Sequence, residues 1–385
     1  MPPGIYEALG CSCTDLIDWP GGSRDGYVSD ANNVSAVANA YISLAAERMS
    51  EVAAWLGKTS DAQMFEGIST TIQRNLREKL YNPANGSFVD GLGIAHSSMH
   101  ATLFPTMAGA VDEVAEPGMG LAGSSRTSYL APTVSLSLFL PPFPPPPLPG
   151  HSPSRFLDLL SRALLLGWLA NPLLFFVLHD ALAVVRTLRE KGMKCSCMAA
   201  YWLLEGLYRI GTHTTEAADL ALDILTSTDT NSWLNMIKQG ATATMEAWTT
   251  GEKGNASWSH PWCSGPNSII IRLLLGVKPL LPGWTRMSFM PQPSSLEWIN
   301  ATVATGKGSI PVSFKQTATA VTATIGVPEG VSAKACLPAA HSLSEELAAA
   351  TTLKLDGVGV ATVIEGRMLC AKVDLTPGPH ELVRA

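Results

Sequence analysis

A chain of 385 residues is long enough to bury a sizeable core and predicts two domains. Hydrophobic residues make up 46% and charged ones only 15%, which excludes a largely disordered chain. The net charge of −6, a pI near 5.8 and the lack of any basic run of five exclude a nucleic-acid surface, which needs clustered Lys and Arg.

Seven cysteines cannot all pair with one another. Cys11-Ser12-Cys13 and Cys195-Ser196-Cys197 lack the Cys-x-x-Cys spacing and the histidines of a metal site, so they read as small buried residues. No metal and no other cofactor is expected. The N-terminus, MPPGIYEALG, shows no basic region followed by an apolar one, so no signal peptide is visible. Sequons at Asn33, Asn85, Asn255 and Asn300 would permit glycosylation in a secretory compartment. Compartment and oligomeric state stay open.

Residues 1–30 read as loop, because Gly4, Gly10, Pro20, Gly21, Gly22 and Gly26 punctuate too often for a helix. Trp19, Arg24 and Asp25 set an indole beside a guanidinium and an acid, either lining a pocket or forming an Arg24–Asp25 turn with Trp19 covering the end of a helical bundle. From Val34 to Leu56 apolar residues recur at helical spacing, and Gly57 supplies the stop. Ser60 and Gln63 are spaced as a capping box for a second helix, whose stripe runs from Met64 to Leu80. Two such helices joined by so few residues predict an antiparallel hairpin. Asn82-Pro83-Ala84-Asn85-Gly86 then makes a turn, and Phe88–Gly91 a short extended piece. His96 and His100, four apart, would share a helix face, but Ser97 stands where a metalloprotease carries glutamate. They read as helix-entrance or pocket-lining residues.

Residues 117–180 break the pattern. They carry the tract PPFPPPPLPG at 141–150, which predicts polyproline II. An apolar run from Ala163 to Leu178 follows, interrupted by Asn171-Pro172 and too short for a membrane span. A ligand tract with a membrane-facing segment, a lid, and translated sequence foreign to the protein, such as a retained intron, all fit. The last is preferred, because Glu113–Glu116 and Ala181–Gly192 join smoothly into one helical hairpin.

Helical spacing resumes over Met198–Tyr208, in a Thr215-capped segment and over Trp233–Ile237, and Ser268–Leu275 reads as the last helix. Glu205, inside an apolar helix, is expected to be paired or snorkelling. Between these helices lies the most informative stretch. Glu246 sits in Thr244-Met245-Glu246-Ala247-Trp248, and Trp233, Trp248, Trp258 and Trp262 crowd the same thirty residues with His260. Indole faces cover the C–H faces of sugars and a carboxylate handles a proton, so the stretch suits carbohydrate chemistry. The alternative is core tryptophans beside a surface charge. From Val277 onward, prolines and Thr/Val alternation predict short strands at roughly ten-residue spacing and an antiparallel β-sandwich.

The segment Thr242 or Thr244, Glu246, Trp248, Ser257, His260 and Pro266 resembles the part of the α-L-rhamnosidases that carries the general base. The likeness extends to Asp18-Trp19-Pro20 with Arg24-Asp25-Gly26-Tyr27, to His96–His100, to Tyr201–Tyr208, and to Pro282-Gly283-Trp284 with Pro291-Gln292-Pro293. It covers roughly 15–116 and 181–325. The resemblance implies a mainly α fold with a β domain: an incomplete (α/α)6 toroid over 1–276, then a β-sandwich over 277–385. It implies an inverting glycosidase acting on rhamnosides, with Glu246 as general base. Trp248, Trp258, His260 and Trp262 would shape the sugar site, and Trp19, Arg24 and Asp25 would face them from the opposite rim. The family's general acid lies upstream of the Asp-Trp region. Only Glu7, Asp15 and Asp18 precede Trp19, none in a matching motif, and about eight helical segments stand where a full toroid has twelve. The chain therefore reads as the C-terminal two-thirds of a catalytic domain plus its sandwich, weakly active or inactive alone. The rivals are another α/α-toroid hydrolase, trehalase-like or fucosidase-like, and a non-catalytic sugar-binding or scaffold protein.

Overall fold

The computed structural model describes residues 17–28, 34–111, 172–317, 320–339 and 352–384. Cys11, Cys13, Glu7, Asp15 and most of the 117–180 stretch lie outside them. Helix α1 (Ala36–Trp55) starts at Ser35, whose hydroxyl accepts the Ala38 amide. It packs on α2 (Thr59–Leu80) through Ser43 to Ser69 and Ser50 to Ala62. Those pairs run in opposite directions along the two helices, so the hairpin is antiparallel. The Ser60–Gln63 capping box is not formed: α2 begins two residues earlier than a Ser60 cap would set it, after Lys58, without a side-chain cap. Asp61 in its first turn complements the helix dipole instead.

A two-stranded hairpin of β1 (Tyr81–Asn82) and β2 (Ser87–Phe88) closes the turn at 82–86. Helix α3 (Met99–Met107), capped by the Ser98 hydroxyl, is buried throughout. His96 precedes it and does not share a helix face with His100, because the Ser98 cap sets the first turn. Helix α4 (Pro172–Lys191) is continuous across residue 180, the expected edge of the aberrant stretch, and Asp180 pairs with Arg77 of α2. Helix α5 (Ala199–Ile210) lies close on α3, because a Cβ on Gly206 would stand 3.3 Å from the Met107 amide nitrogen. Helices α6 (Thr215–Leu225) and α7 (Trp233–Lys238) follow. The expected last helix starts early, as α8 (Gly265–Ile269), and widens into one π-helical segment, Ile270–Leu274. Arg272 in that segment meets Glu205 of α5 at 3.2 Å, which answers how an acid sits in an apolar helix.

The helical core ends with Leu274, and the core of the second domain begins with Leu275. A six-stranded sheet has the order β10-β9-β13-β7-β6-β5, with β5 spanning Trp298–Thr305, β6 Gly308–Gln316, β7 Val321–Val327, β9 Leu353–Leu355, β10 Val358–Gly359 and β13 Gly378–Arg384. A five-stranded sheet has the order β11-β12-β8-β4-β3, with β3 spanning Val277–Pro279, β4 Arg286–Phe289, β8 Ser332–Pro338, β11 Thr362–Glu365 and β12 Met368–Ala371. Alternate residues of both sheets, among them Phe289, Phe314, Ile325 and Leu369, fill one core between them, as in a sandwich. The pairing is antiparallel except for β4 with β8, which is parallel.

Reading all cysteines as lone buried residues is corrected. Cys197 is bonded to Cys263 and Cys336 to Cys370, while Cys195 is a buried thiol. The domains are held by Gln292 donating to the Tyr208 carbonyl at 3.1 Å and by the Arg367 amide donating to the Thr212 carbonyl at 2.7 Å. At the joint, Gly276 has φ +76°, and a Cβ there would lie 2.1 Å from the Met290 carbonyl carbon. Only glycine fits that approach.

Candidate active site

Residues 244–260 form an arch closed on itself: the Glu246 amide donates to the Ser257 carbonyl at 2.9 Å, and the His260 amide to the Thr244 carbonyl at 2.7 Å. Beneath it Trp248 is fully buried, its indole N–H donating to the Cys195 carbonyl at 2.8 Å and its ring meeting Trp233 edge-on at 5.0 Å. The Trp233 indole in turn donates to the Cys263 carbonyl at 2.8 Å. The Cys197–Cys263 disulfide ties the end of the arch to the start of α5. Glu246 thus rests on backbone held from three sides.

The Glu246 residue is 8% exposed. Its Oε1 accepts from Lys253 Nζ at 2.5 Å and its Oε2 from the Ser257 amide at 2.8 Å, while the Trp262 indole donates to its carbonyl at 3.0 Å. The Lys253 hydrogen bond, then the Ser257 amide, hold the carboxyl below the usual glutamate range against the opposing effect of desolvation. A depressed carboxyl favours the fold above its unfolded pKa, and that contribution is lost as pH falls through the folded value. Lys253 Nζ also lies 5.7 Å from the centroid of the Trp19 ring, at cation–π distance. The ammonium bridges the arch and the 17–28 loop.

That loop is pinned by two buried acids. Asp18 Oδ2 meets His100 Nε2 at 2.7 Å and the Ser196 amide at 2.8 Å, and its Oδ1 accepts from the Ser196 hydroxyl and from the Trp19 amide. Because a carboxylate only accepts, His100 carries its proton on Nε2. Asp90 accepts from the Val28 amide at 2.9 Å and the Ser98 amide at 2.7 Å, and its Oδ2 lies 2.6 Å from His96 Nδ1. The Trp19–Pro20 bond is cis, and Trp19 is half-buried.

Four expected sugar-site residues lie on the arch, just past its end, or on the facing 17–28 loop. Trp19 lies over Lys253, Trp258 is 49% exposed on the arch, and His260 packs on Trp262 with ring centroids 4.1 Å apart. Trp262 is the fourth, through its bond to the Glu246 carbonyl. One of the other three offers no face to a ligand, and two are half-buried with part of their polar groups bonded within the protein. Trp248 has no exposed surface, because its indole fills the space between Trp233 and Cys195, and it supports the arch instead. Arg24 Nε donates to the Asp18 carbonyl at 3.0 Å, which braces the loop. Asp25 Oδ2 accepts the first amide of α3, that of Met99, at 2.7 Å and meets Lys191 at 3.2 Å. The Arg24–Asp25 turn itself is present, closed by the Tyr27 amide donating to the Arg24 carbonyl at 2.9 Å, while the two side chains take these separate partners.

Sequence reasoning missed Lys253 and Glu252. Lys253 is the one Lys or Arg between Lys238 and Arg272, a signal that a lone cation in an aromatic loop has a dedicated partner. Glu252 accepts from the Thr249 amide at 3.1 Å and from the Ser23 hydroxyl at 3.4 Å, and burial raises its pKa. It is the second link between arch and loop. Among the described residues no group of three His, Cys, Asp or Glu is arranged to hold a metal, and no helix is long and apolar enough to cross a membrane.

The model of the bacterial α-L-rhamnosidase six-hairpin glycosidase domain matches residues 7–121 and 168–272, leaving 122–167 unmatched, and that of the family's C-terminal domain matches 276–349. An α-L-rhamnosidase of Alteromonas sp. (strain LOR) is 31% identical over 133 residues, which is 32% of this chain and 14% of that protein. The α-L-rhamnosidase of Streptomyces avermitilis, solved with L-rhamnose, aligns with 96% of this chain and 29% of its own at 16% identity and a TM-score of 0.57. That of Aspergillus terreus aligns with 95% of this chain and 32% of its own at 15% identity and the same TM-score, 0.57. At such identities the structures show a shared fold, and this chain spans less than a third of each relative's length. With the helical-domain model covering more than half of its residues, the chain belongs to the bacterial α-L-rhamnosidase family.

Proposed function

We propose that this chain carries the base half of an inverting centre that hydrolyses terminal α-L-rhamnosides. Glu246 takes a proton from water as the water oxygen bonds to the anomeric carbon and the bond to the leaving oxygen breaks on the opposite face. The observation that carries this reading is a nearly buried carboxylate held in its charged form by Lys253 and the Ser257 amide, with Lys253 over the Trp19 ring and with Trp258 and His260 on the same arch. Indoles at the rim would cover the apolar face of a deoxysugar, and a low pKa keeps the base ionised in mildly acidic solution. Asp18, Asp25 and Glu252 are committed to the bonds described above, so none is assigned as the general acid. The expected bounds of 117–180 are too wide, since the family model matches up to 121 and again from 168, and we propose that only residues 122–167, which it leaves unmatched, are foreign to this domain.

A base acting without its acid partner favours a leaving group that departs unprotonated. Dinitrophenyl α-L-rhamnoside is therefore expected to be cleaved far faster than an alkyl rhamnoside, with β-L-rhamnose as the first product by NMR and no cleavage of the matching glucoside or fucoside. Retained configuration, or equal action on the three sugars, would sink this reading. No turnover at all would favour the sugar-binding or scaffold alternative.

Lys253→Met removes the largest influence lowering the Glu246 pKa. Activity should fall roughly tenfold on the acid side of the pH profile and little on the alkaline side. An unmoved acid limb would separate Lys253 from the base.

A further inference from the structure

Trp298 stands 64% exposed at the start of β5, the edge strand of the six-stranded sheet, with a hollow on either side. The larger, about 490 Å³, lies between the domains. Its walls are the indoles of Trp233 and Trp298 with aliphatic side chains of both domains, among them Leu222, Ile270 and Leu296, and Thr244, Ser264, Asn267 and Asn300 supply hydroxyls and amides. The smaller runs over the sheet, where Lys315 pairs with Trp298 across the strands and Ser313 with Asn300. Side chains alternate along a strand, so Trp298 and Asn300 share the outer face with Ser313 and Lys315. A largely apolar groove of this size, with two indoles among its walls and a few neutral hydrogen-bonding groups, matches the chemistry of a pyranose: C–H faces for the rings and aliphatic walls, hydroxyls for the amides.

We infer that this groove is a second, non-catalytic carbohydrate site, in which an oligosaccharide runs from Trp233 across the exposed face of Trp298 to Lys315. It is distinct from the Glu246 face. The groove meets the arch from behind, at Thr244 and Ser264 and through Trp233, whose ring backs Trp248. The site would hold a chain by residues away from the reacting sugar, and it stands whether or not Glu246 is a base.

The test uses the full chain from a host without N-glycosylation, since Asn300 opens a sequon. Titration with an oligosaccharide bearing terminal α-L-rhamnose, and with cellohexaose, is followed by calorimetry and indole fluorescence in the wild type, Trp298→Ala and Asn300→Ala. Saturable binding of at least one oligosaccharide is expected, weakened about tenfold or more by Trp298→Ala and about threefold by Asn300→Ala. Any turnover of a small aryl rhamnoside should stay within about twofold in both variants. Trp298 is exposed, so unchanged far-UV circular dichroism shows that loss of binding is not loss of fold. Absence of saturable binding to either probe, or binding that Trp298→Ala leaves intact, overturns the inference.

Discussion

Asp18→Ala is expected to destabilise the protein by about 3–5 kcal/mol, the usual cost of removing one member of a buried, hydrogen-bonded pair. His100 Nε2, the Ser196 amide and hydroxyl and the Trp19 amide would all lose their acceptor where water does not replace it. Asp18→Asn keeps the shape but offers one acceptor oxygen in place of two, so its cost should fall between those of wild type and alanine. Urea unfolding followed by circular dichroism measures both. A loss below about 1 kcal/mol for alanine would mean that the 17–28 loop is held by other contacts. Because Asp18 sets the Trp19 backbone, the alanine variant should also lose rhamnoside binding at temperatures where it remains folded.

Glu246→Gln should lower kcat on the activated rhamnoside by about 10²–10⁴, with a much smaller change in KM. Glutamine preserves the side-chain volume and one oxygen for the Ser257 amide but gives up the ion pair with Lys253, so melting at neutral pH should fall modestly while the fold is kept. What disappears is the proton acceptor. Glu246→Ala opens room beside the anomeric carbon, and added azide should then attack there, expelling the dinitrophenolate and giving the β-rhamnosyl azide. An α-azide, or full activity in the glutamine variant, would remove Glu246 from the mechanism.

How much of this was legible in the residues depended on how far each one had to reach. The α1–α2 hairpin was legible because its apolar stripes and short connection are local, and the sandwich because Thr/Val alternation is local too. Glu246 stood out by its aromatic neighbours. Trp248, two residues away in the same motif, was misassigned because its burial is decided by the Cys195 carbonyl, 53 positions distant. Asp18 was read as part of the Asp18-Trp19-Pro20 likeness and as an acid outside any acid motif, and its bracing role was not visible, since its partners His100 and Ser196 lie 82 and 178 positions along the chain. The Cys197–Cys263 bond, with a separation of 66, was invisible for the same reason. Spacing rules report what neighbours do, and the arch is assembled by strangers.

The passage of Gly276 against the Met290 backbone bears on how the two domains can move. A crossing with no room for one methyl group is a weld, not a pivot, and the Gln292 and Arg367 bonds fasten it on either flank. Swinging one domain away from the other would have to tear all three contacts together. The gap beside Trp298 should therefore keep its width, admitting a guest by rotation of that indole alone.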